Sequence, residues 1–159
     1  MPILTGPSTF RVLASSAVKV DKTGDTNETA LATITIPAGS MGANGILRVT
    51  TLWTHTNNAN TKTWRIRLGG ISGTQFATIA RTTSATDGDM RIIQNRNSQS
   101  SQVAFPATQG VGFGSSTSGV ASGSIDTSAA QDLVLSAQLG VGTDTMSLER
   151  YIVEILYKA

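Results

Sequence analysis

The 159-residue sequence contains no cysteine and a single histidine, His55. Without cysteine the chain forms no disulfide, has no thiolate nucleophile and offers no thiolate ligand to zinc or an iron–sulfur cluster. One histidine also excludes any site that needs two imidazoles from the same chain. Charged residues make up only 14% of the sequence, against about 25% in an average globular protein. No apolar run approaches the roughly 20 residues of a membrane-spanning helix, so no membrane contact is expected.

Small hydroxyl residues are abundant instead, with 23 Thr and 17 Ser beside 16 Gly. β-Branched Thr fits the pleated surface of a sheet, whereas Gly and Ser are common in turns. Apolar and polar residues alternate in short runs that end at Gly, Pro, Asn or Ser, which is the pattern of half-buried strands. The clearest runs are 30–36, 46–55, 62–68, 132–139 and 148–157. The pattern predicts eight to ten strands.

Strands at short intervals predict an all-β protein, either a sandwich or a barrel. Very unequal loops, and the absence of the Cys and Trp pattern of an immunoglobulin domain, favour a two-sheet antiparallel β-sandwich of the jelly-roll type. Residues 1–159 are expected to form this single domain, because the length is typical of one domain. An N-terminal arm, residues 1–9, and a long Gly/Ser-rich loop, residues 110–124, are expected to lie outside the regular strands.

Runs 46–55 and 62–68 each carry one tryptophan near the Asn-rich segment that joins them. We predict that the two runs form one hairpin, with Trp53 and Trp64 on its core face. Arg65 and Arg67 have the opposite parity to Trp64, and Arg48 is expected to point the same way as these two arginines.

Three guanidiniums on one face suit carboxylates of a neighbouring protein, with a plain solvated face as the alternative interpretation. Arg65 and Arg67 are therefore candidate partner contacts. Ile3 and Leu4 in the arm, and Phe113 in the loop, are further candidates because apolar side chains on irregular segments gain most by docking. Nucleic-acid binding is not expected, since it needs aromatic side chains interleaved with the basic ones.

The sequence contains few candidates for catalytic residues. Nucleotide-binding, zinc-protease and serine-hydrolase motifs are absent, and His55 stands at the end of a predicted strand. Strict alternation places Glu149 and Glu154 on opposite faces of the last strand, so they are not expected to form a glycosidase pair. Residues 21–28 are rich in side-chain oxygen but lack the spacing of a calcium loop, which favours a solvated turn. We predict no catalytic residue, no metal, no cofactor and no enzyme activity.

The charge distribution is uneven although the whole chain carries only +2. Residues 46–100 hold seven basic and two acidic groups, whereas residues 101–159 hold two basic and five acidic groups. Opposite signs in the two halves suit contacts between copies or with a partner, and an ordinary solvated surface is the alternative. The first residues lack the basic and apolar regions of a signal peptide, so synthesis in a cytosol is expected.

Two stretches resemble a known family. Thr-Asn-Glu-Thr-Ala-Leu-Ala-Thr-Ile-Thr-Ile-Pro-Ala-Gly at 26–39 is followed by a Trp-bearing strand, an Asn-rich turn and Arg-Ile-Arg-Leu-Gly-Gly at 65–70. These features, spanning residues 23–70, are similar to the small jelly-roll structural proteins of tailed bacteriophages. A looser similarity lies in the closing Glu-Arg-Tyr at 149–151.

The resemblance implies a non-enzymatic virion protein: a head decoration or cement protein, a head fibre or a tail component. The short length, without coiled-coil heptads, favours a homo-oligomeric decoration protein, dimer or trimer, that bridges subunits of the phage major capsid protein. Such a protein lies on the outer capsid surface of the virion and is assembled in the host cytoplasm. A tail or head-fibre module that binds host surface glycans is the alternative, and a non-viral carbohydrate-binding or hydrolytic domain is a third possibility.

Overall fold

The computed structural model describes residues 9–109 and 115–159, whose regular structure consists of eleven β-strands. The strands are β1 (Arg11–Ser16), β2 (Val20–Lys22), β3 (Thr29–Ile36), β4 (Ile46–His55), β5 (Lys62–Leu68), β6 (Thr74–Arg81), β7 (Thr86–Asn95), β8 (Gln102–Ala104), β9 (Ala121–Gly123), β10 (Gln131–Leu139) and β11 (Met146–Leu156). This is one more strand than the upper end of the predicted range.

The strands form two antiparallel sheets. The seven-stranded sheet has the order β1-β11-β4-β7-β8-β9, with β2 pairing with another part of β11, and the four-stranded sheet has the order β3-β10-β5-β6. The pairings are nested: β5 with β6, then β4 with β7, then β3 with β10, then β1 and β2 with β11. Successive nested pairs alternate between the two sheets, which is the arrangement of a jelly roll. The predicted two-sheet jelly roll is confirmed.

The core lies between the sheets and follows the predicted alternation. Every second residue of β4, β5 and β10 points inward, and the largest of these side chains have no exposed surface. The inward residues of these three strands include Leu47, Val49, Trp53, Trp64, Ile66, Leu68, Leu133, Leu135, Ala137 and Leu139. Burial of this apolar area drives the sheets together, because each such side chain gains about 1.5–3 kcal/mol on leaving water.

The predicted hairpin of β4 and β5 is wrong. β4 pairs with β11 and β7, whereas β5 pairs with β10 and β6, so the Asn-rich segment crosses from one sheet to the other. Trp53 and Trp64 are nevertheless both fully buried, as predicted. Alternation determines which side of a strand faces the core, but it carries no information on which sheet the strand joins.

Two short strands, β8 and β9, lie within residues 98–128, where the composition indicated no strand. Each has three residues, too few to show alternation. Residues 105–109 are held by Arg91, which is 1% exposed and donates to the carbonyl oxygens of Phe105, Pro106 and Gln109. The predicted loop 110–124 therefore extends too far, since β9 lies inside it; residues 110–114 are outside the described ranges.

Candidate interaction surface

The outer faces of the two sheets differ in chemistry. On the four-stranded sheet the outward positions are dominated by polar side chains: Thr33, Thr35, Thr63, Arg65, Arg67, Gln75, Asp132, Ser136 and Gln138. On the seven-stranded sheet the outward positions of β4, β7 and β11 include six large apolar side chains. These residues, which we call the apolar face, are Ile46, Leu52, Met90, Ile92, Ile152 and Leu156.

On the four-stranded sheet, Arg65 and Arg67 are neighbours, as their spacing predicts, and they share one carboxylate. Arg67 donates from Nε and Nη2 to the two oxygens of Glu28, at 2.7 and 2.8 Å. Arg65 lies 3.4 Å from the same carboxylate, and Ser136 donates its hydroxyl to it at 2.5 Å. A forked pair of this kind is stronger than a single charged hydrogen bond. The structure thus gives both guanidiniums a partner within the chain, and their role as partner contacts stays a prediction.

The environment of Glu28 acts on its pKa in two directions. Burial raises the pKa, but the hydrogen bonds from Arg67 and Ser136 and the charge of Arg65 outweigh it, so the pKa lies below its ordinary value. The carboxylate is therefore ionised at neutral pH and ties Glu28, the last residue of segment 21–28, to the polar outer face, whereas residues 21 and 22 belong to β2 and pair with β11 in the other sheet. Of the acidic residues in that segment, Asp25 pairs with buried Lys22 at 2.5 Å.

Arg48 does not share a face with Arg65 and Arg67, because β4 belongs to the other sheet; that prediction is wrong. Its guanidinium forms a forked pair with Glu154 on β11, at 2.7 and 2.8 Å, and lies 4.1 Å from the centre of the Phe10 ring. The hydrogen bonds from Arg48 hold the pKa of Glu154 below its ordinary value. The pair stands among the apolar-face residues with its charges already neutralised.

The apolar face is accessible. Met90 is 44% exposed and Ile92 is 43% exposed, and Val12 at the edge of the sheet is 61% exposed. The three adjacent strands β11, β4 and β7 are about 4.8 Å apart and about ten residues long, so this outer face measures roughly 14 Å by 33 Å, or roughly 480 Å². The six apolar side chains share this face with Arg48, Thr50, Arg150 and Glu154, and such a mixture of apolar and polar groups is typical of protein interfaces.

A shallow depression of about 510 Å³ opens on this face. It exists because Gly88 stands opposite Leu52 and contributes no side chain. Thr50, Leu52, Met90 and Arg150 line it, so a hydroxyl and a guanidinium stand beside apolar groups. Within the described residues the Arg150 guanidinium makes no ion pair or hydrogen bond, and the residue is exposed.

Glu149 and Glu154 lie on the same outer face, contrary to the expectation from parity. A β-bulge between Leu148 and Arg150 inserts Glu149 as an extra residue and reverses the alternation after it. Glu149 accepts a hydrogen bond from the Thr54 hydroxyl. The two carboxylates are about four strand positions apart, or roughly 13 Å. That separation exceeds the about 5–9.5 Å between the carboxylates of a glycosidase pair. Distance, and not opposite faces of the strand, is therefore what keeps the two carboxylates from forming such a pair.

His55 lies at the end of β4 and is 8% exposed. Neither ring nitrogen makes a hydrogen bond in the described structure. Burial lowers its pKa, the nearby backbone of Ser84 opposes this, and the charge of Lys62 adds to the lowering. Fully buried Lys62 donates to the side chain of Asn58 at 2.7 Å, and Asn58 donates to Asp144 at 2.7 Å. These hydrogen bonds join the ends of β4, β5 and β11 through Lys62, Asn58 and Asp144.

Sequence reasoning missed the apolar face because alternation was used only to find the core. The signal was present as apolar residues at both parities: Ile92 next to Ile93, and Ile152 next to Val153.

Ile3, Leu4 and Phe113 lie outside the described residues, so their predicted contacts stay predictions. In residues 9–109 and 115–159 no cluster of three or more His, Asp or Glu side chains is placed to hold a metal ion. The same ranges contain no helix long and apolar enough to cross a bilayer.

No protein-family profile matches the chain, and no curated protein matches it either. Several solved structures are similar to it at low identity, including the following three. The CBM2 module of the evolved Dit of Lactobacillus casei BL23 phage J-1 is 13% identical over 80% of this chain and 70% of that chain, with a TM-score of 0.37. The infectious bursal disease virus VP2 subviral particle is 12% identical over 94% of this chain and 32% of that chain, with a TM-score of 0.41. A CBM4 structure is 15% identical over 88% of this chain and 94% of that chain, with a TM-score of 0.31. Likenesses this weak decide nothing about activity or partners.

Proposed function

We propose that this chain is a non-enzymatic structural protein of a tailed-phage virion. It decorates the outer surface of the capsid and stabilises the head by bridging subunits of the major capsid protein. The observation that carries the proposal is the apolar face on one sheet of a jelly roll whose other sheet has a mainly polar outer face. The resemblance of residues 23–70 to phage jelly-roll proteins supports the choice of a virion.

The chemistry of the apolar face suits a protein partner. Its roughly 480 Å² is more than half of the about 800 Å² that each side of a stable protein interface buries. Arg48 and Glu154 satisfy each other, so covering them leaves no lone charge in the interface. Arg150 remains available at one end of the face for a carboxylate of the partner. Docking of this kind depends on complementary shape and apolar contact, and it needs no catalytic group.

The proposal is tested on virions of the phage that encodes the chain. Quantitative mass spectrometry should find the chain in a fixed ratio to the major capsid protein. Purified heads that lack the chain should bind the wild type, and Ile92→Glu should weaken binding about tenfold or more, because a carboxylate would be buried against apolar atoms. Thr63→Glu, on the polar outer face, is the matched control and should bind normally. Absence of the chain from virions, or equal binding by both variants, contradicts the proposal.

A glycan-binding tail or head-fibre module is the second candidate, and the depression at Gly88 is the observation that favours it. Its volume lies within the range of about 300–1,000 Å³ that is usual for ligand sites, and Thr50 and Arg150 offer hydrogen-bonding groups. None of the residues that line it is aromatic, although aromatic rings commonly supply the stacking surface of ligand pockets. Calorimetry with host surface glycans tests this candidate: binding that is lost in Arg150→Ala would favour it over decoration.

A further inference from the structure

The four-stranded sheet ends at β3, which pairs with β10 on one side and with no other strand in the described part of the chain. In an antiparallel sheet the backbone N–H and C=O groups of an edge strand alternate, so half of those of β3 point away from β10. An open edge of this kind pairs readily with another extended chain unless something protects it.

The other edge strands in the described ranges, β1, β2, β6 and β9, carry protection, and β2 has only three residues, two of them charged. The N–H of Thr78 in β6 donates to the carbonyl oxygen of Ala107, so a loop covers that edge. β9 has only three residues. β1 contains a bulge between Val12 and Ala14 and begins with a charged residue, Arg11. Short length, bulges, charge and covering loops are the devices that prevent strand addition.

β3 has the weakest protection of these five edge strands. None of its eight residues is charged. A bulge interrupts its pairing between Ala30 and Ala32, and Pro37 ends the strand, because proline has no N–H to donate. The regular part of the edge is therefore Ala32–Ile36, with Thr33 and Thr35 exposed on the outer face and Ile34 and Ile36 pointing inward.

We propose that two copies of this chain pair through β3, antiparallel across a two-fold axis at Ile34. In this register Thr33 of each copy faces Thr35 of the other, Ile34 faces its own counterpart, and Ala32 faces Ile36. Thr pairs across strands are favourable, and no like charges oppose one another. The two four-stranded sheets join into one sheet of eight strands, and the occupant of the edge is a second copy because the segment is complementary to itself.

This pairing rests on the proposed decoration function, for which the resemblance implies a homo-oligomer, but its test needs only the purified chain. Its failure is therefore distinguishable from failure of the decoration proposal, which is measured on heads. The apolar faces lie on the other sheet of each subunit, so the dimer leaves both of them uncovered and offers two docking surfaces to a capsid.

Sedimentation equilibrium tests the pairing with charge variants at one pair of positions. Wild type should show a monomer–dimer equilibrium. Thr33→Lys/Thr35→Lys places lysine opposite lysine twice and should raise the dimer dissociation constant about tenfold. Thr33→Glu/Thr35→Lys places opposite charges in the same contacts and should keep the dimer. Near-identical far-UV circular dichroism of the three proteins shows that folding is unchanged.

A second measurement uses the absence of cysteine from the sequence. Under mild oxidation Thr33→Cys/Thr35→Cys should give a disulfide-linked dimer in high yield, because each cysteine faces its counterpart of the other copy. Thr33→Cys alone faces threonine and should give little. A monomeric wild type, a dimer unaffected by the two lysines, a dimer lost in both charge variants, or equal cross-linking by single and double cysteine variants would each overturn the proposal.

Discussion

Trp53 and Trp64 stack face to face across the interior of the sandwich, with ring centres 5.7 Å apart and planes 10° from parallel. One ring comes from each sheet, so the pair connects β4 and β5 although these strands share no hydrogen bond. Each indole N–H is satisfied: Trp53 donates to Thr51 at 2.9 Å and Trp64 donates to Asp87 at 2.8 Å. Burying the two rings therefore leaves no indole N–H group without a hydrogen-bond partner.

Trp64→Ala should lower the free energy of unfolding by about 3–5 kcal/mol, because it removes a fully buried ring and leaves a cavity beside Trp53. Urea denaturation followed by circular dichroism measures the loss. Met90→Ala, a truncation at an exposed site, is the control and should change stability by about 0.5 kcal/mol or less. Similar losses in the two variants would mean that the stack contributes little.

Glu28→Gln should destabilise the fold by about 2–4 kcal/mol, since it leaves two poorly exposed guanidiniums, Arg65 and Arg67, without their carboxylate. Glu154→Gln breaks a forked pair of the same type with the more exposed Arg48 and should cost less. Chemical denaturation at neutral pH compares the two variants. A greater loss in Glu154→Gln would contradict the larger contribution expected of the Glu28 carboxylate.

The same carboxylate predicts a dependence on acid. The folded-state pKa of Glu28 is lower than its ordinary 4.5, so its contribution to stability is full above about that pH and is lost as pH falls through the folded pKa. The stability difference between wild type and Glu28→Gln should therefore shrink as the solution is acidified below pH 4.5. A difference that stays constant down to the acid transition would show that the pKa of Glu28 is not lowered.

His55 predicts a second, separate pH window. Its folded-state pKa is below its ordinary 6.5, so the unfolded chain binds the proton first. Stability should fall as pH decreases from about 6.5 towards the folded pKa, and His55→Gln should remove this slope. Free energies of unfolding at several pH values between about 5 and 8 measure it. Parallel pH profiles for the two proteins would contradict the prediction.

The N-terminal arm remains a prediction about residues outside the described ranges. If Ile3 and Leu4 clamp a neighbouring subunit, a chain without residues 1–8 should fold normally but bind heads more weakly than the intact chain. Co-sedimentation with purified heads measures the difference. Ile3→Ser/Leu4→Ser in the full-length chain is the matched control for the apolar pair, and undiminished attachment of both variants would exclude the clamp.

The sequence predicted the fold class and the core because both depend on a local pattern, the alternation that places Trp53 and Leu135 inside. The sequence did not predict which sheet each strand joins: Arg67 on β5 meets Glu28, 39 residues earlier, because β10 pairs between β3 and β5. Parity failed at Glu149, because one inserted residue reverses every later position of the strand. The apolar face was overlooked because half-exposed Ile92 and Ile152 look like core residues when only their hydropathy is considered.

The nested pairing of the strands has a consequence for how the chain reaches its native state. The loops are closed in turn by the pairs Leu68 and Thr74, Thr54 and Thr86, Ile36 and Gln131, and Ser16 and Tyr151. Each inner strand pairing shortens the unpaired loop that the next pairing must close. Loop-closure entropy therefore favours sequential pairing that begins with β5 and β6. β11 lies between β1 and β4, so the larger sheet has a gap until this strand leaves the ribosome. We expect slow folding. During synthesis we also expect an incomplete sheet in which the edges of β1 and β4 stay unpaired, so that a chaperone must cover them.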